Sequence, residues 1–261
     1  MKNKIRKATL WAFIFIAIAG KAQNTRISDH NTIGWYNYFG TYKLSDKVGI
    51  HTEYQFRRDN LINDWMQSLL RVGVNYQIHP KVSLRLGYAW IETWPYGDIP
   101  INRFGKQFTE HRAFQMATIT DKVGRVDLSH RFMLEQRWIG TFSSADLKRE
   151  DDFTYINRFR YMFRMQVPLL SNAAGKRSPF IAMYDEIFIG FGKNVGANVF
   201  DQNRLGILIG YPFSNTFRLE GGFLNQIVQL GRLIDQRNVF QYNNGFIMNA
   251  IFNIDLSKSV N

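Results

Sequence analysis

The sequence predicts an all-β fold: a transmembrane, antiparallel, up-and-down β-barrel of about twelve strands, with ten as the alternative. Three observations carry that expectation. First, Arg125–Ile139 alternates between two sets of side chains. Val126, Leu128, His130, Phe132, Leu134, Gln136 and Trp138 form a mostly apolar row, and Asp127, Ser129, Arg131, Met133, Glu135 and Arg137 a mostly polar one. A strand sends successive side chains to opposite faces. Sheets in water seldom need strands of ~13 residues, whereas a strand tilted across a bilayer needs roughly 9–11. Second, the pattern repeats along the chain, with short and long connections in turn. Third, the chain opens with an export leader and has no Cys. No later apolar run is long enough for a membrane helix, which needs roughly 18 or more residues.

The leader is MKNKIRKATLWAFIFIAIAGKAQ. Lys2, Lys4, Arg6 and Lys7 precede an apolar run from Ala8 to Ala19, and Gly20 and Ala22 fit a small-x-small cleavage site. Residues 1–22 are therefore expected to be a signal peptide and 23–261 the barrel domain. The leader carries five basic and no acidic side chains, so its removal lowers the formal charge from +12 to +7. That excess suits an anionic solute or lipopolysaccharide phosphates, although net charge speaks to association and not to fold. An exported chain without Cys has no disulfides, which favours a sizeable closed ladder over a small stapled domain.

Strands are expected at Trp35–Leu44, Val48–Arg58, Trp65–Gln77, Val82–Trp94, Glu110–Thr120, Arg125–Ile139, Asp152–Val167, Phe180–Phe191, Val199–Tyr211, Thr216–Gln229 and Val239–Leu256. In the second, Val48, Ile50, Thr52, Tyr54 and Phe56 oppose His51, Glu53, Gln55 and Arg57. Tyr184-Asp185-Glu186 obscures the phase of the eighth, where a bulge is expected. Asn244-Gly245 could turn the chain, but a split there leaves a strand too short to span, so it is read through. Single-chain bacterial barrels have even strand numbers, so either Gln23–Thr32 supplies a twelfth, poorly patterned strand, or it threads the lumen, or one of the eleven is a split or merged strand; twelve is favoured. Long connections follow Arg58, Trp94, Ile139, Phe191 and Gln229, and these are expected outside the cell. Trp35, Trp65, Trp90, Trp94 and Trp138 sit at the long-loop ends, as an outer aromatic girdle would. Tyr42, Tyr76 and Tyr211 mark the opposite rim. Bacterial outer membrane is the expected location.

Several strings, in order along nearly the whole mature chain, carry a family resemblance. They include Gln67-Ser68-Leu69-Leu70-Arg71-Val72-Gly73, Leu86-Gly87-Tyr88-Ala89, Glu110-His111-Arg112, Glu135-Gln136-Arg137-Trp138, Arg158-Phe159-Arg160-Tyr161 and Tyr184-Asp185-Glu186-Ile187-Phe188. The chain resembles a family of outer-membrane barrels, mostly from Bacteroidota, catalogued as a domain of unknown function. The resemblance implies fold and location and assigns no residue a role.

GxGxxG and HExxH are absent, so no cofactor, metal or nucleic-acid chemistry is expected. The strongest constellation is the expected lumen set: Arg57, Arg71, Arg85, Arg112, Arg131, Arg137, Arg158, Arg160, Arg164, Arg204 and Arg218, with Glu53, Glu110, Glu135 and Glu220. Charges at membrane depth must face a lumen and find partners. Two readings follow: an Arg–Glu ladder that plugs a narrow barrel, or a basic pore for small anionic solutes such as acidic sugars. An enzyme reading, a lipid-modifying barrel, rests on His130 and Gln136 in the apolar row. A four-residue turn at Asp121–Gly124 would place Gln115 opposite His130 on the lipid face, but no outward Ser lies in register. A soluble exported β-sandwich is the remaining class; it would have shorter strands and no girdles.

Overall fold

The computed structural model describes residues 26–170, 177–196 and 198–257. The signal peptide expected over 1–22 lies outside these. The described residues form eleven strands: β1 Arg26–Lys43, β2 Val48–Asp59, β3 Asp64–His79, β4 Val82–Thr93, β5 Phe108–Val123, β6 Val126–Thr141, β7 Asp152–Pro168, β8 Phe180–Phe191, β9 Phe200–Pro212, β10 Phe217–Ile234 and β11 Arg237–Asp255. They close into one barrel in sequence order. Neighbours are antiparallel except at the closure, where β1 and β11 run parallel.

Eleven corrects the expected twelve or ten. In an up-and-down meander, an odd count makes the first and last strands point the same way, so closure must be parallel. The described part of Gln23–Thr32 makes no separate strand, because it is the start of β1. Pairing runs unbroken from Arg26↔Asn238 to Lys43↔Asp255. Parallel register puts like side chains level across the seam. Asn31 Nδ2 donates to Asn243 Oδ1 at 2.9 Å, and Asn37 Nδ2 to Asn249 Oδ1 at 2.8 Å. The backbones come closest at Gly245, where a Cβ would stand 1.7 Å from the Ile33 carbonyl oxygen. This is the role of the Asn244-Gly245 pair, which β11 reads through without turning.

Turn chemistry sets two further corrections. The β5–β6 hairpin turns at Gly124-Arg125, not over Asp121–Gly124, because Gly124 takes a positive φ of 58° and the ladder continues to Val123↔Val126. No loop occupies Leu230–Asn238. β10 and β11 extend to a tight turn at Asp235-Gln236, both with positive φ. Extended loops do occur at 94–107, 142–151 and 192–196 on that end of the barrel.

The outer face is mostly apolar. Leu70, Val72, Val74, Tyr76, Leu84, Leu86, Tyr88 and Trp90 point out on β3 and β4, and Ile181, Met183, Ile207, Ile209 and Tyr211 on β8 and β9. β8 keeps its phase through Tyr184-Asp185-Glu186, without the expected bulge there. Its even residues face in, and outward Asp185 accepts a 2.8 Å hydrogen bond from Asn203 Nδ2. The irregularity lies on the partner strand instead, where the register slips between Phe188↔Gln202 and Ile189↔Phe200. Asp201 is the extra residue. Trp35 is not in a girdle: β1 begins well before it, and its odd residues face in, so the indole is buried inside at 2% exposure.

Candidate functional site

The interior has two halves. Along β8–β11 and β1 it is filled by Ile33, Trp35, Phe180, Ala182, Leu208, Leu224 and Ile247. Along β2–β9 it is ionic, and Glu135 is the centre. This carboxylate is fully buried. It accepts from Arg158 Nε at 2.7 Å and Nη2 at 2.6 Å, and from Arg160 Nη1 at 2.7 Å. Arg112 and Arg71 stand at 3.8 and 4.0 Å. Strand register explains the convergence, since Glu135 sits level with Phe114 on β5 and Arg158 on β7.

The network spreads from there. Arg158 Nη1 reaches Asp201 at 2.6 Å, and Arg137 reaches the same carboxylate at 3.5 Å. Glu110 takes Arg112 and Arg137 as two forks. Glu186 binds Arg160 at 2.8 Å and Arg131 at 2.9 Å. Glu53 accepts from Arg71 at 2.7 Å with His51 at 3.2 Å, and Glu220 accepts from Arg164 at 2.7 Å. All of the expected lumen set is thus inward or lumen-lining. Arg158 and Arg160 need no water to offset them, because Glu135, Asp201 and Glu186 do so.

Glu186 and Asp201 were not legible as lumen residues. Acidic side chains stand on both faces at Asp185-Glu186, and no sequence signal marks the bulge that turns Asp201 inward. Even with these two carboxylates, arginine remains in excess. Among the described residues, Arg57, Arg85, Arg204 and Arg218 have no carboxylate within 4.0 Å. Their partners are neutral: Arg57 donates to Gln55 and Gln67, Arg85 to Asn75 at 2.5 Å, and Arg204 to Gln202 at 2.8 Å.

Two chambers flank this network. The one toward the long loops has a volume of about 290 Å³ and is lined by Arg57, Glu110, Arg112, Arg137, Asp201 and Gln226, among others. The other, toward the short turns, is about 340 Å³, with His51, Arg85, Arg131, Arg164 and Arg218 in its wall. Arg204 lines both. The loop 94–107 roofs the first chamber. Tyr96 Oη donates to Gln241 Oε1 at 2.7 Å, the Ile99 N–H to Asp29 at 3.2 Å, and Arg232 to the Pro100 carbonyl at 2.8 Å.

The expected Gln115–His130 pair does not form. The tighter turn shifts the register, so Gln115 faces Leu134 and His130 faces Ile119. Gln115 instead exchanges hydrogen bonds with Gln136, and His130 Nδ1 lies 2.9 Å from Tyr161 Oη. Among the described residues, the outer face here holds two separate polar pairs, and the hydroxyl in reach of the imidazole is that of Tyr161.

A family model described as "Protein of unknown function (DUF2490)" matches residues 32–236. A solved structure titled "NanC porin structure in rhombohedral crystal form" is similar to this chain over 84% of its length and 97% of that chain, at 11% identity and a TM-score of 0.45. No curated protein matches the chain.

Proposed function

We propose that this chain, which belongs to the DUF2490 family of proteins of unknown function, is a bacterial outer-membrane barrel of Bacteroidota type with a narrow, anion-selective lumen. One observation carries the selectivity: Arg57, Arg85, Arg204 and Arg218, lumen arginines without a carboxylate within 4.0 Å, are placed on both sides of the central network. Uncompensated guanidiniums in a confined passage attract anions and repel cations. The location is supported by the apolar outer face, which in water would be an exposed patch far larger than a soluble monomer carries. Outer-membrane lipid and lipopolysaccharide are the partners that such a face and a basic chain would meet.

Planar-bilayer conductance tests the reading. Small currents with anion over cation preference are expected; cation selectivity would overturn it. A second reading, a plugged barrel without transport, is favoured by the roof at Tyr96 and by the Glu135 network across the lumen. It is supported if no current appears at any voltage and none appears after the roof is released by Tyr96→Phe.

Orientation has its own test. The 142–151 loop is expected outside and the Gly124-Arg125 turn in the periplasm. On intact cells, an impermeant thiol reagent should label Lys148→Cys and spare Lys122→Cys. The reverse pattern would invert the topology.

A further inference from the structure

Two of the arginines without carboxylate partners are both deeply buried and share one aromatic platform. Arg57 is 4% exposed and Arg204 8%. The Arg57 Cζ lies 3.8 Å from the centre of a Trp35 ring, and the Arg204 Cζ 4.8 Å. Both guanidiniums therefore lie against one indole, on the same short stretch of the lumen. Like charges this close repel, and burial removes the water that would screen them. The indole face attracts each cation but neutralises neither. The amides beside them, Gln55, Gln67 and Gln202, accept hydrogen bonds without supplying charge. Arg204 Nε has no hydrogen-bond partner among the described residues, nor has the Trp35 indole N–H. Buried donors are nearly always satisfied, so donors left open beside guanidiniums with no carboxylate within 4.0 Å mark a place for an acceptor that brings negative charge.

We propose that the neck between the two chambers is an oxyanion site, in which Arg57 and Arg204 clamp one small carboxylate or phosphate beside Trp35. The proposal rests on the reading of the lumen as a basic passage and names where an anion pauses in it. Position supports it, because Arg204 borders both chambers and an anion bound there can be approached from either side. Gln226 holds Gln202 by a 3.0 Å hydrogen bond, which aims Arg204. Carboxylate and phosphate share the pair of oxygens that matches a guanidinium fork. The larger-loop chamber, about 290 Å³, limits the ligand to a small molecule.

The test is equilibrium binding of acetate and of inorganic phosphate to the detergent-folded protein, by calorimetry. At least one anion should bind the unmodified barrel, and the two arms report which group the site prefers. Arg57→Gln and Arg204→Gln should each weaken binding about 10- to 100-fold, the loss expected for a charge-assisted hydrogen bond. Arg204→Lys, which keeps the charge and loses the fork, should fall between. Arg149→Gln, exposed on the 142–151 loop outside the lumen, should bind as the unmodified protein does. Binding of neither anion, unchanged binding by Arg204→Gln, or an equal loss with Arg149→Gln would overturn the site. Heat-modifiable gel migration confirms that each variant is folded, and Arg204→Lys decides the case if a Gln variant is not. The channel reading fails separately: a barrel that binds phosphate yet passes no current keeps the site and loses the channel. One that conducts anions but binds neither keeps the channel and loses the site.

Discussion

Glu135→Gln is expected to destabilise the barrel by about 3–5 kcal/mol, the cost of removing one partner from a buried ion pair. The side chain keeps its shape, so packing changes little and the charge is what is lost. Arg158 and Arg160 then face a neutral amide at the distances where a carboxylate stood, 2.6 and 2.7 Å. Arg112 and Arg71 lose the same counter-charge at slightly longer range. Arg158 still has Asp201 and Arg160 still has Glu186. Those carboxylates hold the loss near the stated range and make it less than a collapse of the whole lumen.

The measurement is the urea midpoint of the detergent-folded protein, followed by gel migration. Asp121→Asn is the reference. It removes the carboxylate from Lys81–Asp121, a 2.6 Å pair in which both side chains are at least half exposed, and water screens such pairs so that they contribute little. If both variants shift the midpoint equally, the buried network does not hold the barrel together.

The alternation that places Glu135 inward was plain in the sequence, and so were the faces of β2, β3 and β4. Period-2 patterning is a local property, and a single slip would have moved every apolar residue to the wrong side. What the sequence did not carry is non-local. Strand number follows from how the ends meet, and a parallel seam built on Asn31–Asn243 and Asn37–Asn249 has no local signature. Trp35 was misplaced because a tryptophan near an assumed strand end looks like an interface residue. Its true partners, Arg57 and Arg204, come from β2 and β9. The Gln115–His130 pairing failed on turn length alone: a two-residue turn at Gly124-Arg125 leaves both on the outer face but shifts their partners. The lumen arginines could be identified as a set, while their division into paired and unpaired members depended on Glu186 and on the bulge at Asp201.

Leu86→Arg should cost roughly 2–4 kcal/mol if the outer face meets lipid. Leu86 is the middle member of the outward row Val82, Leu84, Leu86, Tyr88 and Trp90, and it is 62% exposed. That exposure makes the substitution diagnostic. In water, an Arg on an exposed surface position usually changes stability by less than ~0.5 kcal/mol. In a bilayer the same guanidinium sits near the hydrocarbon midplane, with Val72, Val74 and Tyr76 of β3 and Gln115 of β5 as its outward neighbours and no carboxylate among them. Val82→Arg, on the same face and strand but beside the Pro80-Lys81 turn, should cost only ~0–1 kcal/mol, because the side chain can reach the interface. Unfolding in lipid vesicles, compared between the two variants, gives the answer. A large loss at Leu86 with a small one at Val82 marks a hydrophobic band centred on Leu86. Small losses at both would mean that water covers this face, and the outer-membrane assignment would fall with it.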